Sequence, residues 1–411
     1  MLRNYLKMAL KVLNRRRFYT FISMFGITLT LAILVIVASF WEHLVGVQGP
    51  EVNQERSLVI VNMRMKGKVG FTISSTNSIH YLEHYVSKLQ TPEMMSFYSF
   101  PFGVSSFIDG QKVNMDRKFT DAAFWQVMHH QFTEGRPYTQ EEVEQRQPVV
   151  VIARTLKEEL FGQASALGKE IKLGDDRFNV VGVIENTPIT RVHSYGTLFV
   201  PVTLDKKYGI DKSFTGEYMA TLVAKDKASV AAMQQEYQAL VSQIGNPDPS
   251  QYESFSTNAD PYLAAFSRMI LGDAEESGIN TLYIGLFVLS FLFMLLPTVN
   301  LMNINISRIM ERASEIGVRK AFGASSFALI VQFIVENLVL TLLSGLLAFV
   351  VAWVALQAIN SASLVAHMVL SINLNVLGAG LLFTVVFGLL SGVYPAWRMS
   401  RLHPAEALKT R

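Results

Sequence analysis

Long apolar runs alternate with short charged segments along this chain. Phe18–Trp41, Ser277–Ser307 and Asn337–Trp397 contain no Asp, Glu, Lys or Arg. About 20 mostly apolar residues suffice for a helix to cross a bilayer, so each of the first two runs predicts one span. The third run, 61 residues, is too long for one and breaks at the polar cluster Asn360–Asn375. The pattern therefore predicts four transmembrane α-helices: residues 18–41, 279–306, 327–356 and 376–397. Residues 357–375 form a short external loop between the last two.

Between the first and second spans, residues 42–278, the pattern changes to that of a large α+β domain. SLVIV, PVVVIA, TLFVPV and MATLVA read as strands. KEIKLGDDRFNVVGVI alternates on both sides of a Gly-Asp-Asp turn, the mark of a hairpin. SIHYLEHYVSKL predicts a helix with Ile79, Leu82, Val86 and Leu89 inward, and RTLKEELFG a helix closed by Gly162. KASVAAMQQEYQALVSQI predicts a longer helix. The segment is large enough to fold on a core of its own.

The amino terminus, residues 1–17, is amphipathic. Leu2, Tyr5, Leu6, Ala9, Leu10 and Leu13 share one helical stripe, with basic residues opposite. That suits the inner surface of an anionic bilayer, or equally a simple positive-inside anchor. The following apolar run exceeds the core of a signal peptide and ends in FWEHL without a small-residue cleavage site, so it reads as a retained anchor.

Charge sets the orientation. Residues 1–17, the 307–325 segment and the 398–411 tail together carry 14 basic and 3 acidic side chains, whereas 42–278 carries 22 basic and 29 acidic. Positive residues stay on the cytoplasmic side. Both termini and the short loop are therefore expected in the cytoplasm, with the large domain outside. The basic residues cluster at membrane ends and imply no nucleic-acid partner. The chain has no cysteine, which excludes disulfides and thiolate metal sites.

The 307–325 segment is unusually charged for its place between two apolar runs. As a helix it sets Glu311, Glu315 and Arg319 at four-residue spacing, with Glu N-terminal to Arg, worth about 0.2–0.5 kcal/mol per pair. Arg319 and Lys320 complement the dipole in the last turn, and Gly323 suits the cap. A short, two-signed helix at the membrane face fits either docking onto a cytosolic partner or an ordinary topology-fixing loop.

NLMNINISRIMERASEIGVRKAFGAS closely resembles the signature of the MacB/FtsX-type (mechanotransmission) ABC transporter permeases. The resemblance covers most of the chain. MLRNYLKMALKVLNRRRF is similar to the family's amino-terminal helix, and FTEGRPYTQEE through LGKEIKLGDDRFNVVGVI to the MacB-like periplasmic core domain. VQFIVENLVL and VYPAWRMSRLHPAEALKTR are similar to its later motifs.

The resemblance implies a non-catalytic permease of a bacterial inner membrane, multi-pass, with a periplasmic domain. It implies that Glu311, Arg312, Glu315, Ile316, Gly317, Arg319, Lys320 and Gly323 form a coupling helix that docks onto a cytosolic ABC ATPase. It also implies a second permease, identical or paralogous, and leaves room for a periplasmic adaptor or outer-membrane component. ATP and Mg²⁺ belong to the ATPase, because the sequence contains no G-x-x-x-x-G-K-[ST] loop; no cofactor is expected on this chain.

Three further features stand out. Glu336 is the one acid within the predicted spans, with Gln332 one turn before it. A charge there is costly unless partnered, which favours a helix-bundle or dimer contact over a proton relay. Pro297 removes a backbone donor in the second span and is a candidate flexing point. HYLEH, His80 to His84, formally matches the H-x-x-E-H metallopeptidase motif, with two histidines placed to share a Zn²⁺. A wet helix face explains the same spacing, and no third ligand is signalled. Export from the periplasmic side is the leading functional expectation. Control of an envelope enzyme such as a cell-wall hydrolase is the alternative, and a metallopeptidase the remote one. FtsX-type regulators tend to have a smaller external domain, which favours export.

Overall fold

The computed structural model describes residues 2–15, 17–47, 49–108, 110–292, 325–362 and 367–372, with a few isolated positions between 295 and 386. They divide into two compact units, residues 44–283 with 365–368, and the remainder.

In the first of these, thirteen strands form one mixed sheet in the order β11-β2-β1-β12-β3-β5-β10-β7-β9-β6, with β13 on β1, β4 on β5 and β8 on β9. β1 (Ser57–Gly67) pairs antiparallel with β2 (Thr72–Asn77), β12 (Tyr218–Ala224) and β13 (Tyr252–Asp260). β12 continues through β3 (Pro92–Ser99) to β5 (Gln111–Thr120), which forms a hairpin with β4 (Phe102–Ile108). β10 (Leu198–Pro201) runs parallel to β5 and antiparallel to β7 (Val149–Ala153). β7 lies parallel to β9 (Asp176–Ile184), which is flanked by β6 (Phe132–Gly135) and β8 (Glu170–Leu173). β11 (Thr215–Gly216) closes the far edge on β2.

The apolar runs explain the centre of the sheet. Every residue of β7 and of β12 is buried, as expected of strands covered on both faces. The α6 helix (Arg154–Phe161) ends at Gly162, whose φ is +58°, so the expected glycine stop is present. The α7 helix (Val230–Gln243) buries Met233 and Tyr237. Tyr237 accepts or donates a hydrogen bond to Tyr81 (3.2 Å) and another to Thr257 (2.9 Å).

The helix expected over SIHYLEHYVSKL is shorter. α3 spans Ile79–His84, capped by the Ser78 hydroxyl on the Tyr81 amide, and a single tighter turn, Val86–Lys88, follows. Ile79, Leu82, Val86 and Leu89 are all buried, as the spacing requires, and Tyr81 joins them.

In the second unit, α1 (Leu2–Arg15) packs on α10 (Ser326–Ser361), and α2 (Arg17–Val45) meets α10 along two apolar patches. Ala9, Leu13, Ile27, Val339 and Leu340 form one; Ala32, Val35, Ala348 and Ala352 form the other. Between them the Thr28 hydroxyl donates to the Ser344 carbonyl at 3.2 Å. Alanines and small hydroxyls let two backbones approach where lipid supplies no hydrophobic drive. Arg17–Val45 and Ile334–Ser361 are long and apolar enough to cross a membrane; the described part of α9, Ile279–Leu292, is shorter. α10 continues five residues beyond the expected end at 356, shortening the external loop. The fourth expected span falls almost wholly outside the described residues.

Replacing Ala348 and Ala352 together by leucine will force the α2–α10 seam apart and break the Thr28–Ser344 bond. Overpacking of this kind costs about 1–3 kcal/mol per site. The detergent-solubilised chain should melt several degrees lower, whereas Leu346→Ala, on the exposed side of α10, should leave the midpoint nearly unchanged.

Candidate functional site

The coupling-segment residues Glu311, Arg312, Glu315, Ile316, Gly317, Arg319, Lys320 and Gly323 lie outside the described residues, as does Pro297. Of the polar pair on α10, Gln332 is buried and Glu336 half-buried, and the Gln332 amide nitrogen donates to a Glu336 carboxylate oxygen at 2.9 Å. The pair thus meets across one turn of a single helix.

His80 and His84 sit on the same side of α3 with their rings stacked, centroids 5.3 Å apart. His80 is half-buried and His84 exposed, and burial lowers the His80 pKa, helped by His84 and Lys212 and opposed by Asp211. Between them, Glu83 accepts instead from the Tyr208 hydroxyl at 3.0 Å. Among the described residues no group of three or more His, Asp or Glu side chains gathers to hold a metal ion.

Sequence reasoning missed a buried polar arrangement. It lies where α2 hands the chain to the outer domain. A helix ends with carbonyls that have no intrahelical partner, and these carry the negative end of the dipole. Here two of them are met by side chains. Gln54 donates to the Val45 carbonyl at 3.2 Å, and Arg191 Nη2 to the Gly46 carbonyl at 2.7 Å. Arg191 also pairs with Glu51 (Nη1–Oε2, 3.2 Å), whose other oxygen accepts from Ser194 at 2.8 Å. Both charged side chains are withdrawn from water, Arg191 at 5% exposure and Glu51 at 3%.

Arg191 belongs to the loop between β9 and β10, and its neighbours are fastened as well. Lys118 of β5, fully buried, donates to the Val192 carbonyl at 2.9 Å. His193 Nδ1 lies 3.0 Å from the Tyr98 hydroxyl, and Tyr195 donates to Asp116 of β5. The loop is thereby held to β5, to β3 and to the end of α2 at once.

A second arginine holds the turn that leads to α9. α8 (Tyr262–Ile270) follows β13 directly, and Arg268 on it forks onto Asp260, the last residue of β13, with Nε–Oδ2 2.6 Å and Nη2–Oδ1 3.2 Å. Its remaining nitrogen donates to the Asp273 carbonyl at 2.7 Å. Arg64 of β1 donates to the Gly272 carbonyl at 3.3 Å. Asp273 in turn accepts from the amides of Glu275 and Glu276, both at 2.8 Å, closing the turn that leads to α9. A side chain at Gly272 would strike the Arg268 backbone and the Glu276 carbonyl, both at 2.7 Å. Glycine alone fits there.

The two arrangements touch. The Tyr262 ring, at the start of α8, stands edge-on to His193 with centroids 4.8 Å apart. Asp260 pairs in register with Val59 of β1, eight residues after Glu51. The two sites thus form one polar corner within the 44–283 unit. Breaking one partner of such a buried pair strands the other charge and costs about 3–5 kcal/mol, although the intact pair adds little by itself.

Burial dominates the electrostatics of this corner. It raises the Glu51 pKa against the pull of Arg191 and Ser194, and pushes His193 and His130 down to about 3, so both rings are neutral. Asp121 is pushed up to about 7 despite donors from Phe97, Ser96 and Phe124. Lys118 is pushed down to about 7, with the attraction of Glu51 opposing.

The sequence carried one faint sign of all this. RVHSY, residues 191–195, is a polar, aromatic run within a loop, but nothing in its spacing names partners 140 residues away.

Lys118 gives a pH test. Between about 7 and the ordinary lysine value of 10.5, the unfolded chain binds a proton that the folded domain has released. Stability from this group therefore rises with pH across that window and is lost as pH falls through about 7. Asp121 acts below the window, since its contribution is lost as pH rises from 3.8 to about 7. Lys118→Met should flatten the rise in melting temperature above neutral pH, removing a slope of up to about 1.4 kcal/mol per pH unit. An unchanged slope by scanning calorimetry would contradict the burial of a titrating amine.

Comparison with known proteins agrees with this architecture. Residues 20–240 match the MacB-like periplasmic core domain and residues 287–404 the FtsX-like permease C-terminal domain. A macrolide export ATP-binding/permease protein MacB of Bdellovibrio bacteriovorus is 29% identical over 279 residues, 67% of this chain and 41% of that protein. The uncharacterised ABC transporter permease YknZ of Bacillus subtilis is 24% identical over 313 residues, 74% of each. The chain thus spans about two fifths of the MacB relative and three quarters of YknZ. The periplasmic region of MacB from Actinobacillus actinomycetemcomitans aligns over 52% of the chain with 15% identity and a TM-score of 0.37, a likeness too slight to add weight. On the strength of the two family matches, this chain belongs to the MacB/FtsX-type ABC transporter permeases.

Proposed function

We propose that this chain is the membrane subunit through which nucleotide-driven closure of a separate cytosolic ABC ATPase moves the periplasmic domain, driving export of a substrate from the periplasmic side. The observation that carries the reading is the order of parts. A MacB-like outer domain is followed by an FtsX-like permease half that includes the Glu311–Ser325 segment. YknZ, similar over three quarters of its length, is named as an ABC transporter permease, which favours a partner subunit as the source of ATP hydrolysis.

Within this reading Glu311, Arg312, Glu315, Ile316, Gly317, Arg319, Lys320 and Gly323 form the docking helix, and the permease works as a pair with an identical or paralogous copy. The spans are four, both termini are cytoplasmic, and a periplasmic adaptor or outer-membrane component receives the cargo. Gln332 and Glu336 satisfy each other within the bundle, and Pro297 lets the second span flex. His80 and His84 have no catalytic part.

Affinity purification from native membranes tests the reading. The wild-type chain should bring down an ABC ATPase with measurable ATP hydrolysis, and Glu315→Ala/Arg319→Ala should reduce the recovered ATPase at least several-fold while the permease yield is unchanged. Absence of any ATPase with the wild type would overturn the proposal. Recovery of a cell-wall hydrolase in place of export components would replace export by enzyme control.

A further inference from the structure

α8 turns its side chains in the reverse of the usual order. A surface helix in water directs its large apolar residues to the core and its charges outward. Here Ala264, Ala265, Ser267 and the charged Arg268 are the buried residues. Phe266, Met269 and Ile270 share the opposite stripe at three- and four-residue spacing, and are 49%, 60% and 64% exposed, with Leu271 beside them at 47%. Four adjoining large apolar side chains left open mark a surface that something apolar covers. Arg268 carries the single charge of the helix and directs it inward, to Asp260 and the Asp273 carbonyl. The open stripe therefore presents no charge to a partner.

What covers the stripe follows from where the chain goes next. Leu271 lies directly against Gly278, the residue before α9: a Cβ on Gly278 would meet the Leu271 carbonyl carbon at 2.9 Å and its Cβ at 3.0 Å. The hydrogen bond that opens α9, from the Leu282 amide to the Gly278 carbonyl at 3.0 Å, starts at the same place. So does the uncharged run Ser277–Ser307. Tyr283, an aromatic of the kind enriched at membrane–water interfaces, is exposed a turn further on. We infer that the stripe of Phe266, Met269, Ile270 and Leu271 rests in the lipid interface on the outer-domain side of the bilayer, which makes α8 a lipid-binding element of the outer domain. The inference rests on the proposed reading that α9 continues into the second span. Interfacial helices bury an apolar face about 5–10 Å into the headgroup boundary. Asp273, Glu275 and Glu276 in the following turn are exposed, and their need for water holds α8 to that shallow depth. Because the helix shows no cation on its open face, a zwitterionic surface suffices and anionic lipid is not required.

The chain has no cysteine, so a single introduced cysteine takes a nitroxide spin label at a chosen position. Met269→Cys and Ile270→Cys place the label on the stripe, and Gln251→Cys on an exposed turn of the outer domain. Phe287→Cys and Leu289→Cys place it on two sides of α9. Each labelled chain is put in nanodiscs of phosphatidylcholine and phosphatidylethanolamine. Power-saturation electron paramagnetic resonance then compares collisions with oxygen, which concentrates in lipid, and with nickel-EDDA, which stays in water.

Relative to Gln251, the oxygen-to-nickel ratio should rise several-fold at Met269 and at Ile270, and further at one or both α9 positions. A ratio on the stripe equal to that at Gln251, with α9 in lipid, would mean that water covers the stripe. That result would overturn the inference and leave the proposed function standing. Protection of the stripe from both reagents would mean that protein covers it, a second copy of the chain if the spectra also broaden by spin–spin coupling, and would overturn the inference as well. A water-like ratio at both α9 positions would overturn the reading of α9 as a span, and the inference with it.

Discussion

An apolar helix leaving a bilayer ends in carbonyls that must find donors, and whatever supplies them decides how firmly the next segment is held. In this chain the donor at the first exit is Arg191, brought from a loop some 145 positions away in sequence. Its positive charge meets the negative end of the helix dipole, and its carboxylate partner, Glu51, lies five residues past that carbonyl. The rest of the outer domain's base is arranged around this contact. Lys118 and Ser194 fix the loop that presents the arginine, and Tyr98 and Tyr262 pack on His193 beside it.

A second buried arginine works differently, on a turn that leads to α9 and not on a helix end. Arg268 satisfies the Asp273 carbonyl and is neutralised by Asp260, whose strand pairs with β1. Through the Val59–Asp260 pairing and the His193–Tyr262 ring contact, the two arginine sites lie close together within the 44–283 unit. The apolar core behind the corner, including Leu58, Ile60, Tyr98, Phe124 and Phe199, gives it a stiff backing.

Much of this was legible from the residues. The apolar pattern marked where α2 and α10 lie, though α2 runs on to Val45 and α10 to Ser361, and the runs at Val149–Ala153 and Tyr218–Ala224 marked buried strands. Strands β5 and β13 were not legible. QKVNMDRKFT and YESFSTNAD carry charges or hydroxyls at positions that tertiary contacts cover, including Lys118 and Asp260. Propensity and alternation describe a strand with one wet face, and fail where buried polar groups answer one another across the fold. The polar corner was hidden for the same reason. Each of its members looks like an ordinary surface residue until Glu51, Lys118, Arg191 and Asp260 are brought within a few ångströms of their partners. The HYLEH match was the converse case, a local pattern that gathers no further ligand among the described residues.

The central claim is that buried arginine–carboxylate pairs hold two joints of the 44–283 unit, the 188–196 loop and the 268–278 turn, and hydrogen exchange on the intact chain in nanodiscs measures that most directly. The amides of Arg191, Ser194 and Tyr195, and those of Leu271, Asp273 and Glu276, all donate hydrogen bonds at 2.7–3.0 Å within their turns. If the joints are locked, peptides covering 188–196 and 268–278 will exchange nearly as slowly as the buried strand Val149–Ala153. Exchange of either peptide within seconds, at the rate of an open surface loop, would mean that the joint is a hinge and would contradict the account.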